Sequence, residues 1–433
     1  MSRIKHENLH INLNLNVRGL KTSATLAINE KSQHLVSEGK EVFKFGLGQS
    51  PFPVPDQVVK ALQDNAHQKD YLPVKGVKSL REAVAEFNFR TQKIHTSPDD
   101  IIIGPGSKEL IFILQLVYYG DLLIPLPSWV SYAPQAKIIG RNVTWVPTKE
   151  ENFWRISPEE LEAICMQDPD RPRILILNYP SNPTGYSYPI EKLKLLAEVA
   201  RKYHVILVSD EIYGMIHHHG QHVSIARYYP EGTIISSGLS KWCGAGGWRL
   251  GTFSFPSNLN WLLKSMCVVA SETYTSTSAP IQYAAITAFR GSPEIETYLH
   301  HSRRVLKVIG KYLTEEMAKL NIHFPQPHGG FYIFPNFEIY REKLNARGIF
   351  NSVDMCNEIL KDTGVAMLPG TDFGVNNEKL VTRMAYVDFN GKKALQKSMK
   401  GFTENSLHND FVKSNCPSIV KGIDRLGDWL NNL

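Results

Sequence analysis

Through the middle of the chain, short and wholly apolar runs alternate with stretches of helical periodicity. Residues 101–103 are three isoleucines, followed by Gly104-Pro105-Gly106 and a helix-like run from Lys108; residues 122–124 are apolar next. Residues 174–177 are apolar throughout. Ile190, Leu193, Leu196 and Ala200 then mark one face of a helix, and residues 205–208 and 234–235 are apolar again. A strand with one wet face alternates apolar and polar residues, so uninterrupted runs this short indicate strands covered on both faces. With helices between them, they predict an α/β fold with a mainly parallel central sheet flanked by helices. From about residue 310, helical stretches mix with strand-like pieces at 331–334 and 380–385, which predicts a smaller α+β domain. The first 60 residues carry Pro51, Pro53 and Pro55 and no sheet pattern, and are expected to wrap onto that second domain. The expected division is a large domain over 61–310 and a small domain from 1–60 and 311–433 with an N-terminal arm.

Composition adds the class of protein. The chain has 433 residues, 42% hydrophobic and 21% charged, as in an ordinary globular protein with a large core. The net charge of +6 is spread without a long Lys/Arg run, which argues against a nucleic-acid partner and suits anionic ligands. The N-terminus lacks an apolar core of leader length. The most apolar later stretch, residues 110–119, contains Gln115 and stops at Gly120-Asp121, too short for a bilayer. Five cysteines are scattered with no CxxC pair, which suggests a reducing compartment. A cytoplasmic protein without a membrane partner is expected.

In a mainly parallel sheet, ligands bind beyond the carboxyl ends of the strands. The residues there are polar. Residues 174–177 lead into Asn178-Tyr179-Pro180-Ser181-Asn182-Pro183-Thr184-Gly185, and 205–208 into Ser209-Asp210-Glu211-Ile212-Tyr213. Residues 234–235 lead into Ser236-Ser237-Gly238-Leu239-Ser240-Lys241, with Gly247-Trp248-Arg249 beyond. Singly, each has a plain structural reading: Asn-Pro-Thr-Gly as a turn, an Asp after a strand as a helix N-cap, a loop Lys as a solvated charge.

In this order, Asn-Pro-Thr-Gly, Asp-x-x-Tyr, Ser-x-Lys and Gly-Trp-Arg together resemble the class I/II aminotransferases, the fold type I pyridoxal-phosphate (PLP) enzymes, over roughly residues 20–400. The resemblance implies that Lys241 holds the aldehyde cofactor as an imine and later moves the α-proton. It implies that Asp210 pairs with the pyridine nitrogen and keeps it protonated, while Tyr213 and Asn182 bond the ring's phenolic oxygen. Burial beside Arg249 and the cofactor should lower the pKa of Lys241. The phosphate is assigned to Ser107, Lys108 and Arg249, with Ser240 on the same side and Gly104 and Gly106 allowing close backbone approach. Trp129 matches the aromatic that stacks on the ring, and also serves the substrate side with Asn182. Arg383, a lone Arg inside an apolar strand, matches the clamp for the substrate carboxylate. Gly48 matches a glycine lying over the substrate, and Tyr71 a tyrosine that reaches the neighbouring subunit's phosphate, which implies a homodimer with shared sites. Pro127 and Pro183 match positions with cis peptide bonds.

The chain departs from the family pattern at Gly246, where many relatives have Ser or Thr, and at Gly238, where some have a phosphate-binding Ser. Either one phosphate contact is lost or Ser237 or Ser240 supplies it. His217-His218-His219 and His222 invite a metal reading, but consecutive side chains diverge; an exposed loop and no metal are expected. Cys243 is expected to pack.

The resulting expectation is a PLP-dependent transaminase that takes the amino group from a small L-amino acid to a 2-oxo acid such as 2-oxoglutarate. Aspartate is the expected donor, on the segments Ser128-Trp129-Val130-Ser131-Tyr132 and Pro369-Gly370-Thr371-Asp372-Phe373, with aromatic donors open. The alternatives are a PLP carbon–sulfur β-lyase and a ligand sensor built on an inactive aminotransferase domain; the latter is disfavoured because Lys241 and Asp210 are both present.

Overall fold

The structure is a computed structural model and describes residues 13–400 and 407–433; the leader reading extends over residues 1–12, outside that range. The strands in chain order are β1 Phe43–Lys44, β2 Ile101–Gly104, β3 Asp121–Pro125, β4 Val143–Val146, β5 Arg173–Asn178, β6 Ile206–Asp210, β7 Thr233–Gly238, β8 Gly251–Ser254, β9 Tyr332–Ile333, β10 Val365–Ala366, β11 Leu368–Pro369 and β12 Thr382–Ala385. Seven form one sheet in the order β2-β8-β7-β6-β5-β3-β4. Within it the pairs of β3, β4, β5, β6 and β7 are parallel, and β8 runs antiparallel to both β7 and β2. This is the expected α/β class with a mostly parallel central sheet.

The apolar runs are explained by what each face meets. Ile174, Ile176, Val208 and Ile234 point to one side, where they pack with Leu110, Leu114, Leu262 and Met266 of the helices Ser107–Val117 and Asn260–Glu272. Leu175, Leu177 and Leu207 point to the other, against Leu193, Leu196 and Ala200 of the helix Ile190–Lys202. Successive side chains of a strand alternate faces, so a strand covered twice favours apolar residues at successive positions.

Two strands of this sheet carry no such run. β4 lies at the sheet edge with Trp145 exposed, so one side need not be apolar. β8 reads Gly-Thr-Phe-Ser yet is buried at all four positions, its small polar residues lying between β7 and β2. Two small sheets draw on the N-terminal segment and the last third of the chain: β1 pairs with β10, and β12 lies between β11 and β9. Among the described residues, no helix is long and apolar enough to cross a membrane.

Candidate active site

The carboxyl ends of three adjacent strands bring Asn178, Asp210 and Ser236 into register. Asn178 Nδ2 donates to the Asp210 carbonyl at 2.9 Å, and Ser236 Oγ donates to Oδ1 at 3.2 Å. Tyr132 donates its hydroxyl to Oδ2 at 2.6 Å. Burial raises the Asp210 pKa, while the bonds from Tyr132 and Ser236 favour its ionised form. The carboxylate is thus held in one orientation but, among the described residues, has no cation within 4.0 Å, an arrangement a protonated pyridine nitrogen would complete.

Lys241 follows β7 by three residues. Its Nζ donates to the Gly48 carbonyl at 2.8 Å and lies 5.6 Å from the centre of the Tyr213 ring. The Tyr213 and Tyr332 hydroxyls are 2.9 Å apart, and burial holds the Tyr213 phenol well above its ordinary pKa. Arg383, in β12, is completely buried, with its guanidinium 4.8 Å from the centre of the Tyr332 ring and 5.0 Å from that of Phe373. It donates to Asn182 Oδ1 at 3.2 Å and to the Gly46 carbonyl, while its Nε has no partner. No carboxylate lies within 4.0 Å of it among the described residues. Because Asn182 Oδ1 is taken by Arg383, its amide NH2 is left to donate to a ligand oxygen.

The third group stands at the start of the helix Ser107–Val117. Gly106, with φ +97°, precedes it; a β-carbon there would lie 2.2 Å from an Arg249 guanidinium nitrogen, so only glycine fits. Arg249, itself at φ +55°, donates to the Gly246 carbonyl at 2.9 Å. The Lys108 ammonium lies 5.2 Å from the centre of a Trp129 ring, and burial, then Arg249, lowers its pKa. Helix-start N–H groups beside Arg249 suit a phosphate.

Ser107, Lys108, Trp129, Asn182, Asp210, Tyr213, Ser240, Lys241, Arg249 and Arg383 line one cavity of about 550 Å³, together with Gly48. Four cations line it against one carboxylate, Asp210. The donor set fits PLP: Lys241 to hold the aldehyde, Asp210 for the ring nitrogen, Tyr213 and Asn182 for the phenolic oxygen, and the Ser107 helix end with Arg249 for the phosphate. Ser240 lines the cavity and Ser237 does not. Tyr71 lies outside it, 90% exposed.

Tyr132, Tyr332, Ser236 and Asn178 belong to this network and were not singled out from sequence. Tyr132 falls three residues after Trp129, and Tyr332 inside an apolar piece; nothing in either pattern reveals where a hydroxyl points. Two expectations are corrected. The bond before Pro127 is cis, but the second cis bond precedes Pro180, not Pro183. The histidine cluster is not an exposed loop: His217, His218 and His222 are buried. His218 reaches the Pro327 carbonyl at 2.9 Å and that of Gly330 at 3.1 Å, and burial holds its pKa down to about 4. His222 Nε2 meets Glu211 at 2.8 Å. Cys243 is fully buried, its thiol pushed up to about 12.

Lys241 is held down to about 8, from its ordinary 10.5. Burial is the largest cause and Arg383 the next; Arg249 and Lys108 add to it, and Asp210 opposes. The unfolded chain keeps this proton up to about 10.5, so burying the ammonium penalises the cofactor-free fold fully below pH 8, and the penalty fades as pH rises to 10.5. Stability of the cofactor-free protein relative to Lys241→Met should therefore rise across that window. Denaturant unfolding at its two ends checks this, and a difference that stays flat refutes it.

The comparisons with known proteins agree with this geometry. The model of the family "Aminotransferase class I and II" matches residues 40–389. The aspartate aminotransferase of Geobacillus stearothermophilus is 35% identical, over 83% of this chain and 91% of its own. The aspartate/prephenate aminotransferase of Thermus thermophilus is 30% identical, over 89% and 97%. The solved Thermus thermophilus aspartate aminotransferase with maleate superposes with a TM-score of 0.80 at 29% identity, covering 90% of this chain and 98% of that one. The chain belongs to the class I and II aminotransferase family and is a pyridoxal-phosphate-dependent transaminase.

Proposed function

We propose that this transaminase takes its amino group from aspartate and passes it to a 2-oxo acid such as 2-oxoglutarate, with aromatic donors as the alternative. The observation that supports a dicarboxylic donor is the charge in the cavity: Lys108, Lys241, Arg249 and Arg383 against Asp210 alone. With the backbone N–H groups at the Ser107–Lys108 helix start and Arg249 on the phosphate, and Arg383 on the α-carboxylate, the Lys108 ammonium over Trp129 is left for a side-chain carboxylate. The relatives named for aspartate and the solved relative holding maleate, a dicarboxylate, support the same reading.

When bound, PLP supplies an aldehyde for the amino group and an electron-poor ring to take the electron pair left when the α-proton departs. Arg383 clamps the α-carboxylate through its guanidinium, whose Nε has no partner among the described residues. Asp210 holds the proton at the ring nitrogen. Tyr213 and Asn182 donate to the phenolic oxygen. Lys241, with its lowered pKa, accepts the α-proton at Nζ and returns it.

Tyr71, exposed and away from its own chain's cavity, supports the further reading of a cytoplasmic homodimer in amino-acid biosynthesis, in which it reaches the partner's phosphate. The same reading divides the chain at 61–310 for the large domain and at 1–60 with 311–433 for the small one.

Incubation with aspartate and 2-oxoglutarate is expected to give oxaloacetate and glutamate; pyruvate and ammonia from cystathionine would instead indicate a β-lyase. Two variants separate the carboxylate sites. Arg383→Ala should raise KM for every amino and oxo acid, lowering kcat/KM by about 10²–10³ as a buried charge pair loses one member. Lys108→Ala should lower kcat/KM for aspartate by about tenfold relative to alanine, at roughly 1.4 kcal/mol for one charge-assisted bond. Equal losses for both donors in Lys108→Ala would reject the side-chain assignment.

A further inference from the structure

Behind the segment that carries Asp210 and Tyr213 lies a second cavity, of about 500 Å³, which shares no residue with the first. Arg90, Arg290 and Arg303 all line it. They come from three places in the chain: Arg90 from the helix Lys78–Gln92, Arg290 from the end of the helix Ala279–Arg290, and Arg303 from the helix Pro293–Lys319. Two are fixed by backbone carbonyls. Arg90 donates to the Phe289 carbonyl at 2.9 Å, and Arg303 Nε to that of Met215 at 2.7 Å. Glycines make room for both guanidiniums: a β-carbon at Gly291 would lie 2.9 Å from Arg90, and one at Gly220 would lie 3.0 Å from Arg303.

None of the three has a carboxylate within 4.0 Å among the described residues. Glu296 is the one acid in the lining, and it is exposed. Three guanidiniums and a single carboxylate line one concave site, a charge balance that favours an anion. Guanidinium groups keep their charge at all working pH values, and their forked donors match phosphate oxygens. The Ser292 hydroxyl, at the start of the helix Pro293–Lys319, also lines the cavity. Arg303 also lines a neighbouring groove together with Lys307.

We propose that Arg90, Arg290 and Arg303 form a second anion site, separate from the cofactor site, for a small molecule carrying a multiply charged phosphate group. More than one negative charge is required, because three guanidiniums face one Glu. The floor of the site is the stretch from Gly214 and Met215, directly after Tyr213.

Calorimetric titration of the holoenzyme with inorganic pyrophosphate tests this, since the cofactor's own phosphate then occupies the first site. Saturable binding is expected, with orthophosphate competing more weakly. The double variant Arg290→Gln/Arg303→Gln should weaken it by more than about tenfold, since it removes two charged hydrogen-bonding groups. Arg290→Gln alone, at an exposed position, should weaken it in a chain that folds normally. Absence of saturable heat, heat matched by sodium chloride at equal ionic strength, or unchanged affinity in the variants would each overturn the proposal.

Discussion

Lys241→Ala is expected to abolish transamination while leaving the fold intact. The variant loses the covalent hold on the cofactor and the base that moves the α-proton, and the second role alone is worth roughly 10²–10⁴ in rate. The yellow absorbance of the lysine-bound cofactor should disappear with the activity. Stability should not fall. The ammonium that is removed is a buried cation held down to about 8, and its one hydrogen bond goes to the Gly48 carbonyl, at the cavity wall. Circular dichroism, thermal unfolding and single-turnover kinetics of the purified variant check all three points. A variant that unfolds, or one that keeps its rate, would return Lys241 to an ordinary structural role.

Asp210→Asn is the second large effect. The substitution preserves shape and leaves one oxygen to accept from Tyr132 or Ser236, but removes the charge that keeps the ring nitrogen protonated. Breaking a buried charge pair by removing one member costs about 3–5 kcal/mol, so turnover should fall by roughly 10²–10⁴. Without the cofactor, the same substitution should change unfolding free energy by only about 1 kcal/mol, because an unpaired carboxylate whose pKa burial raises contributes little to the bare fold. Measuring kcat on the holoenzyme and unfolding on the cofactor-free chain separates the two. Equal losses in both would mean that Asp210 mainly organises the strand end.

These two residues were legible because their chemistry sits at positions that apolar runs mark. Strands buried on both faces show apolar runs, and polar residues just past such a run mark a carboxyl end: Asn178, Asp210 and Ser236 all stand there. Arg383 stood out for the opposite reason, as a charge inside an apolar strand. The partners that tune the site were hidden. Tyr132 and Tyr332 read as ordinary core aromatics, since ring burial and hydroxyl direction are independent and the second is set by packing. β8 was missed because its neighbours rather than its residue types bury it. The histidines misled because polar rings were expected at the surface, whereas carbonyls at Pro327 and Gly330 receive His218 inside the fold.

The most direct measurement is borohydride reduction of the holoenzyme followed by peptide mapping of the lysine that retains the cofactor. The geometry predicts one modified lysine, Lys241, on the peptide after β7. Label on Lys108, the other lysine lining the cavity, or on a lysine elsewhere in the chain, would contradict the account.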